Sequence, residues 1–253
     1  MAVLQYTGGT TGVSKGAVLL HRNIIANVLQ SEAWNDPVMK KVPAGEQPTS
    51  VCALPLYHIF AFTANLLGFL AIGAHNILVP SPRPVQNLQR AVENYPLTWM
   101  TGVNTLFNGL LNEEWFLAYP PKHLKASIAG GTALHSAVAQ RWREVTGTPI
   151  AEGYGLTETS PVVSFNPLSG DVRLGSIGVP SPGTDVRLVQ DNGQDAPVGQ
   201  PGEIWVRGPQ VMSGYWNNPA ETANVIKDSW FATGDIGVMS DDGFFKIVDR
   251  KKD

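Results

Sequence analysis

A glycine-rich stretch near the start of the chain has the residue types that bind polyphosphate. Residues 5–16 read Gln-Tyr-Thr-Gly-Gly-Thr-Thr-Gly-Val-Ser-Lys-Gly. Glycine lets the backbone approach a ligand closely, and successive free N–H groups form an anion-binding concavity. The ammonium of Lys15 adds a point charge suited to phosphate. The alternative is a flexible surface loop. A P-loop nucleotide module is disfavoured, because Lys15 lies three residues after Gly12 and is followed by Gly16 instead of Ser or Thr.

A second stretch, residues 152–161, has residues suited to a nucleotide and a metal ion. It reads Glu-Gly-Tyr-Gly-Leu-Thr-Glu-Thr-Ser-Pro and follows an apolar strand. Ligands of open α/β sheets bind outside the carboxyl ends of the strands. Tyr154 offers a flat face for a purine, and Glu158 offers a hard oxygen ligand for Mg²⁺. The alternative is a strand-end turn in which Thr157 caps a helix and Glu158 complements the helix dipole.

Three weaker features could complete such a site. Asp235 follows the Thr233-Gly234 turn and could accept both ribose hydroxyls, although a simple turn aspartate fits the same pattern. The charged residues 248–253 are the second feature, and by themselves they are explained equally well as a solvated charged tail. His58 precedes an apolar helix, where a satisfied cap or core histidine is the alternative to a ligand-binding role.

Residues 6–16 resemble the phosphate loop of the adenylate-forming enzymes, which comprise acyl-CoA synthetases, peptide-synthetase adenylation domains and beetle luciferases. The Gly-Gly-Thr-Thr-Gly form resembles the bacterial long-chain fatty-acid–CoA ligases. Residues 152–161 are similar to the adenine and magnesium motif of the family, with Glu152 where many members have Gln. The resemblance covers essentially all 253 residues, and the motifs occur in family order.

The resemblance implies a set of site residues. It implies catalytic roles for Lys15, His58 and Glu158, magnesium ligands at Glu158 and Thr7, and a hinge at Lys252. The residues it implies for ATP are Tyr6, Thr7, Gly8, Gly9, Thr10, Thr11, Gly12, Lys15, Gly131, Thr132, Glu152, Gly153, Tyr154, Gly155, Thr157, Asp235 and Arg250. Those for the acyl group are His58, Phe62, Trp99, Val103 and Gly130, although core packing explains Trp99 and Val103 equally well.

The activity implied by the resemblance is AMP-forming ligation. A long-chain fatty acid is activated by ATP and Mg²⁺ to an acyl-adenylate, and CoA as co-substrate then displaces AMP. Three alternatives stay open: a ligase for a medium-chain or aryl acid, a non-catalytic fragment that binds a nucleotide or acyl-adenylate, and the disfavoured P-loop module. No acidic residue is clearly placed for a substrate amine, which disfavours amino acids.

Composition narrows the partners and the compartment. The 18 Lys and Arg against 21 Asp and Glu give a net charge of −3, which argues against nucleic acid as the main partner. The single cysteine, Cys52, excludes an internal disulfide framework, and we expect it to be buried. No signal peptide is visible, so we expect a cytoplasmic protein; peripheral contact with the inner membrane and a homodimer stay open.

The elements that must position these residues fall into two parts. Apolar strands alternate with helices over residues 1–166, which predicts an α/β part with a mostly parallel sheet. Residues 167–249 predict a smaller β-rich subdomain, a distorted barrel, with one helix over residues 219–226 capped by Asn218. Residues 250–253 would be the hinge.

Several local expectations accompany this division. We expect strands around the glycine-rich loop, a helix from residue 24, a loop over residues 35–50 and a buried core helix over residues 59–74. Whole family members are much longer than this chain. We therefore expect a fragment without the N-terminal α/β half and without the C-terminal domain that carries the adenylation lysine. Such a fragment would retain part of the nucleotide site, turn over little and tend to associate.

Overall fold

The computed structural model describes residues 1–7, 14–168 and 172–251. The chain forms two compact units, each assembled from separate stretches. The first unit comprises Met1–Gln30, Tyr154–Phe165 and Ser176–Asp253, and the second comprises Ser31–Gly153 and Asn166–Gly175. The boundaries predicted after residues 166 and 249 stay predictions.

The described residues form fourteen strands and seven α-helices. The strands are β1 (Val3–Tyr6), β2 (Gly16–Leu19), β3 (Thr49–Cys52), β4 (His75–Leu78), β5 (Trp99–Gly102), β6 (Ala126–Ala129), β7 (Ile150–Gly155), β8 (Val162–Phe165), β9 (Val179–Pro180), β10 (Asp185–Val189), β11 (Gly202–Arg207), β12 (Ile226–Lys227), β13 (Trp230–Met239) and β14 (Phe245–Arg250). The helices are α1 (His21–Met39), α2 (Phe69–Ala71), α3 (Gln89–Asn94), α4 (Asn104–Leu110), α5 (Glu114–Ala118), α6 (Ser136–Thr146) and α7 (Pro219–Val225). A π-helix covers Ala61–Gly68, and 3₁₀ turns cover Val85–Leu88 and Thr157–Thr159. Within these described ranges, no helix is long and apolar enough to cross a membrane.

The second unit contains the parallel sheet that the sequence predicts. Its strands run in the order β4-β3-β5-β6-β7, and every pair is parallel. All four residues of each of β3, β5 and β6 are buried, which is typical of parallel strands covered on both faces. Cys52, at the end of β3, is buried as expected. The prediction of an α/β fold is confirmed.

An aromatic cluster forms the centre of the core of the second unit. Trp142, Phe107 and Phe116 are fully buried. The Trp142 ring meets Phe107 edge-to-face at 4.8 Å and stacks on Phe116 at 5.3 Å. Its indole N–H donates to Ser127 Oγ at 2.9 Å, so this large side chain is buried without an unpaired donor. The cluster therefore joins α4, α5 and α6 to the sheet.

The apolar helix after His58 differs from the predicted core helix. It includes eight residues of π-helix and ends at Ala71, and Leu70 is 71% exposed. Its buried face carries Asn65, whose side-chain amide donates to Thr101 Oγ1 at 2.7 Å, while the Thr101 hydroxyl donates to Asn65 Oδ1 at 3.0 Å. The helix is therefore half-buried and joined to β5 by a polar pair.

The loop predicted over residues 35–50 is wrong in its first part, because α1 continues to Met39 with Pro37 inside it. Val38 is fully buried, and Trp34 Nε1 donates to the carbonyl oxygen of Asn166 at 3.1 Å. These tertiary contacts outweigh the backbone hydrogen bond that a helical proline removes.

The first unit contains the β-rich part. Its largest sheet is antiparallel in the order β10-β11-β13-β12, with β14 paired to β13, and β1 pairs with β2 separately. The buried side chains of its core are Val163, Ile177, Leu188, Ile204, Val206 and Phe245. The predicted β-rich subdomain is confirmed, and so is α7, where Asn218 Oδ1 accepts the Glu221 N–H at 3.2 Å. The ten-residue strand β13 was missed by the sequence analysis.

Candidate functional site

The strands β1 and β2 carry the two ends of the glycine-rich loop. The Thr7 N–H donates to the Lys15 carbonyl oxygen at 2.8 Å, and Ser14 Oγ donates to the Thr7 carbonyl oxygen at 2.5 Å. Tyr6, at the end of β1, is 57% exposed. The predicted ATP contacts Gly8, Gly9, Thr10, Thr11 and Gly12 lie outside the described residues, as does the predicted hinge Lys252.

Lys15 has two partners in the first unit. Its ammonium forms an ion pair with Glu221 of α7 and lies 5.1 Å from the centre of the Tyr215 ring. The Lys15 side chain is 36% exposed and that of Glu221 is 28% exposed. The charge on Lys15 is therefore partly neutralised, yet it stays within reach of an anion from solvent.

Tyr215 also contacts the carboxylate predicted to hold Mg²⁺. Its hydroxyl donates to Glu158 Oε1 at 2.7 Å. Burial, followed by the charge of Glu158, raises the pKa of Tyr215, so the hydroxyl keeps its proton and donates. Within the part of the chain that the structure describes, Glu158 Oε2 accepts no hydrogen bond, and no group of three or more acidic, His or Cys side chains could hold a metal ion. One carboxylate with a spare oxygen fits Mg²⁺, which binds through few carboxylates plus substrate phosphates.

The turn around Glu158 is held by contacts among its own residues, 155–161. A Cβ at Gly155 would lie 2.0 Å from the Pro161 carbonyl oxygen, so only glycine fits there. The Leu156 N–H donates to Thr159 Oγ1 at 2.9 Å, and Leu156 is the residue before the 3₁₀ turn. The alternative in which Thr157 caps a helix is therefore wrong, because Thr157 lies inside the turn.

Tyr154 and Asp235 form a second polar pair of the first unit. The Tyr154 hydroxyl donates to Asp235 Oδ2 at 2.6 Å, and Arg250 Nε lies 3.6 Å from Asp235 Oδ1. Burial, together with the negative charge of Asp235, raises the pKa of Tyr154 well above its ordinary value. A carboxylate has about four acceptor positions, so Asp235 can still accept a ligand hydroxyl.

Asp235 does not follow a simple glycine turn as the sequence suggests. It lies inside β13, where Gly234 has a φ of +77°. The pairing of β13 with β11 is irregular here. Trp205 of β11 pairs with Ala232, and Glu203 pairs with Ile236, so β13 carries extra residues at this point. Such a bulge re-aims the side chain that follows it, and a glycine adopts the required φ without strain.

The second unit contains the predicted turn after β6. Gly131 has a φ of +76°, and a Cβ at Gly130 would meet the Phe60 ring at 3.3 Å and the Gly153 carbonyl oxygen at 3.6 Å. Thr132 is exposed. The side chain of Val103 lies 3.9 Å from the position that a Cβ would occupy at Gly131. This turn therefore brings Gly130, Gly131, Val103 and Gly153 close together, along with Phe60, which the sequence analysis did not include.

Glu152 is used by the protein itself. It is 8% exposed, and its Oε1 accepts the Leu134 N–H at 3.0 Å. Burial raises the pKa of Glu152, while the Leu134 hydrogen bond acts in the opposite direction. The carboxylate thus holds the turn after β6, and its predicted contact with ATP stays a prediction.

His58 acts as a helix cap. The side chain is exposed, and Nδ1 accepts the Phe60 N–H at 3.2 Å. The surrounding chain still desolvates the imidazole and lowers its pKa, which favours the neutral form that can accept this bond. This is the cap alternative raised by the sequence. The roles predicted for His58 and Phe62 in the acyl site stay predictions.

Trp99 lies apart from the turn after β6. It is the first residue of β5, about 10 Å along the strand from Gly102 at about 3.3 Å per residue. The side chain is fully buried and contacts Phe69 edge-to-face at 5.9 Å. Core packing therefore accounts for Trp99, and its predicted place in an acyl channel stays a prediction.

Sequence reasoning missed Tyr215 and Glu221. Each lies about 200 positions from Lys15, and no motif links them. Glu221 occupies the third helical position after the cap Asn218, a pattern that predicts a capping box. The structure instead pairs its carboxylate with Lys15.

Comparisons with known proteins show the family of this chain. The family model described as AMP-binding enzyme matches residues 1–216. A long-chain-fatty-acid–CoA ligase from Yersinia pestis is 51% identical over 100% of this chain, and this chain spans 44% of the length of that relative. ATP-bound MatB from Rhodopseudomonas palustris superposes with a TM-score of 0.85 at 30% identity, over 97% of this chain and 47% of that one.

A second solved structure is an o-succinylbenzoate coenzyme A synthetase from Bacillus subtilis in complex with ATP and a magnesium ion. It superposes with a TM-score of 0.84 at 28% identity, over 98% of this chain and 49% of that one. The family model covers most of this chain, and the folds agree over nearly its whole length. The chain belongs to the AMP-binding enzyme family.

Proposed function

We propose that this chain binds ATP and contributes to an AMP-forming ligase that activates a long-chain fatty acid and transfers it to CoA. One observation carries the proposal. A cation suited to phosphate, Lys15, and a carboxylate suited to Mg²⁺, Glu158, both contact the side chain of Tyr215. A cation for phosphate and a carboxylate for Mg²⁺ are the two kinds of group that a site for Mg²⁺ and polyphosphate needs, and their shared contact with Tyr215 supports the proposal.

The proposed reaction depends mainly on positioning and charge. The substrate carboxylate attacks the α-phosphate of ATP, pyrophosphate leaves and an acyl-adenylate forms; the CoA thiol then displaces AMP. Lys15 and the loop N–H groups would stabilise the phosphate charge, while Asp235 would accept the ribose hydroxyls. Mg²⁺, held by Glu158 with Thr7 as the second predicted ligand, would neutralise charge on the phosphates.

The fatty-acid substrate rests on similarity. The relative that is 51% identical is named for long-chain fatty acids, which favours that class. The structural neighbour named for o-succinylbenzoate keeps an aryl acid as the second candidate. A cytoplasmic location, a homodimer and peripheral contact with the inner membrane stay predictions from the sequence.

The test is calorimetric titration with two non-hydrolysable acyl-adenylate analogues, one palmitoyl and one acetyl. We expect the palmitoyl analogue to bind more tightly than the acetyl one. We expect Asp235→Ala, which removes the proposed ribose acceptor, to weaken both analogues about tenfold or more. Glu144→Ala, at an exposed glutamate of α6, is the control and should change neither affinity.

The outcomes separate the parts of the proposal. Equal affinity for the two analogues would retain the adenylate site and remove the long-chain assignment. No binding of either analogue, with the chain folded by circular dichroism, would contradict a nucleotide site in this chain.

A further inference from the structure

Tyr215 lies between two predicted site groups that are far apart in sequence. It is 8% exposed, and its N–H donates to Thr222 Oγ1 at 2.9 Å. A bridge to Ala17 of β2 holds the backbone on the other side. The backbone of Tyr215 is therefore held both by the strand that follows the glycine-rich loop and by the helix α7.

The hydroxyl end of Tyr215 determines how Glu158 is presented. Oε1 of Glu158 accepts the 2.7 Å hydrogen bond, which leaves Oε2 as the oxygen available to a metal ion. Glu158 is 9% exposed, so this bond also compensates part of the cost of burying its charge. Without the hydroxyl, the carboxylate would lose its fixed orientation and rotate about its terminal torsion.

The ring face of Tyr215 serves the other group. The Lys15 ammonium, 5.1 Å from the ring centre, is within the range of a cation–π interaction. The ion pair with Glu221 holds the same ammonium from the side of α7. One side chain thus contacts the loop lysine with its ring and the acidic residue with its hydroxyl.

We propose that Tyr215 is a positioning residue that orients Glu158 for Mg²⁺ through its hydroxyl and seats Lys15 for phosphate through its ring. The inference rests on the proposed function, because it concerns the same nucleotide site. It assigns the two ends of one side chain to two separable effects, on metal dependence and on phosphate affinity.

The test measures ATP affinity by calorimetry in excess Mg²⁺ and in EDTA. We expect Tyr215→Phe, which removes only the hydroxyl, to reduce the ratio of the two affinities about tenfold, the effect of losing a hydrogen bond to a charged group. Its affinity in EDTA should stay within about twofold, since the ring remains. Tyr215→Leu should weaken ATP in EDTA as well. Tyr119→Phe, at a tyrosine that is 69% exposed, is the matched control.

The outcomes distinguish this inference from the proposed function. If the ratio of the ATP affinities in Mg²⁺ and in EDTA is unchanged in Tyr215→Phe, the inference is overturned and the proposed binding of ATP still stands. Failure of the unsubstituted chain to bind ATP would overturn both. If Tyr215→Phe does not fold, 3-fluorotyrosine at position 215 gives the second measurement. Its ¹⁹F resonance should move when ATP is added in EDTA, because Lys15 lies on the ring, and should move further when ATP is added with Mg²⁺; equal shifts in the two conditions would overturn the inference.

Discussion

Glu152 illustrates how a carboxylate predicted to touch a ligand can be engaged by its own chain. It is nearly buried and accepts the Leu134 N–H, and burial raises its pKa. The folded state therefore keeps the proton of Glu152 to a higher pH than the unfolded state does. The stability that this group contributes is full below its unfolded pKa and is lost as the pH rises through the folded pKa.

We therefore expect Glu152→Gln to be more stable than the unsubstituted chain at pH 8. The Gln carbonyl oxygen still accepts the Leu134 N–H, and no charge is buried. The difference should shrink as the pH falls and vanish well below about pH 4, where the unfolded glutamate is itself protonated. Urea unfolding over this pH range measures it. Glu144→Gln, at an exposed position, should show no such trend, and a pH-independent difference at Glu152 would contradict burial of its charge as the cause.

Residue types could be predicted from the sequence where they lie in short motifs. Lys15, Tyr154, Glu158 and Asp235 occur in such motifs. In the structure, the Tyr154 hydroxyl donates to Asp235, and Glu158 accepts a hydrogen bond from the hydroxyl of another tyrosine. Partners supplied by distant stretches could not be predicted, because the Lys15–Glu221 pair follows from the folded path of the chain. Glu221 has the local signature of a capping box and a different contact.

At the scale of elements, α7 depends on its first turn. It has only seven residues and no buried side chain, so packing contributes little to it. Asn218 accepts the Glu221 N–H, and the helix carries the carboxylate that pairs with Lys15. The cap of this short helix therefore supports one partner of the loop lysine.

We expect Asn218→Ala to lower the free energy of unfolding by about 1 kcal/mol, the usual value of an N-cap. Asn218→Ser retains a cap acceptor and should stay within a few tenths of a kcal/mol. Urea midpoints at unchanged slope measure both. Equal losses in the two variants would show that the cap is not the cause.

Helices and strands with a clear pattern of apolar residues or a clear cap could be predicted. Those that depend on tertiary contacts could not. The parallel strands and α7 were recognised from apolar runs and from the cap Asn218. Strand β13 was missed because Gly234 inside it resembles a turn, and α1 was predicted too short because of Pro37. In both cases, contacts with other parts of the chain compensate for a residue that is unfavourable inside a strand or a helix.

At the scale of the whole molecule, Asn166 joins distant parts of the second unit. It is fully buried, and its side-chain amide donates to the Glu152 carbonyl oxygen at 3.1 Å. Its Oδ1 accepts the Arg173 N–H at 3.0 Å, and its carbonyl oxygen accepts from Trp34. The short stretch Asn166–Gly175 thus completes a unit built mainly from residues 31–153.

We expect Asn166→Ala to lower the free energy of unfolding by about 2–3 kcal/mol, because a fully buried side chain loses two hydrogen bonds. Denaturant unfolding measures the loss, and hydrogen exchange should show reduced protection in β7. The control Asn112→Ala removes an exposed asparagine and should stay within about 0.5 kcal/mol. Similar losses in both variants would contradict a special role of Asn166 in joining the unit.

The fold class could be predicted at this scale because alternating strands and helices imply a parallel sheet. The assembly of each compact unit from non-contiguous stretches could not. It depends on contacts such as those of Asn166, whose partners lie 14 and 132 positions away.

The buried pair of Asn65 and Thr101 limits how this sequence can change over generations. Replacing either partner alone leaves a polar group unpaired in the interior, at a cost of about 1–3 kcal/mol. That is a large share of the roughly 5–15 kcal/mol that typically separates folded from unfolded chains. Replacing both with apolar residues of similar shape avoids this cost. Inherited variation at one position is therefore tolerated mainly together with variation at the other.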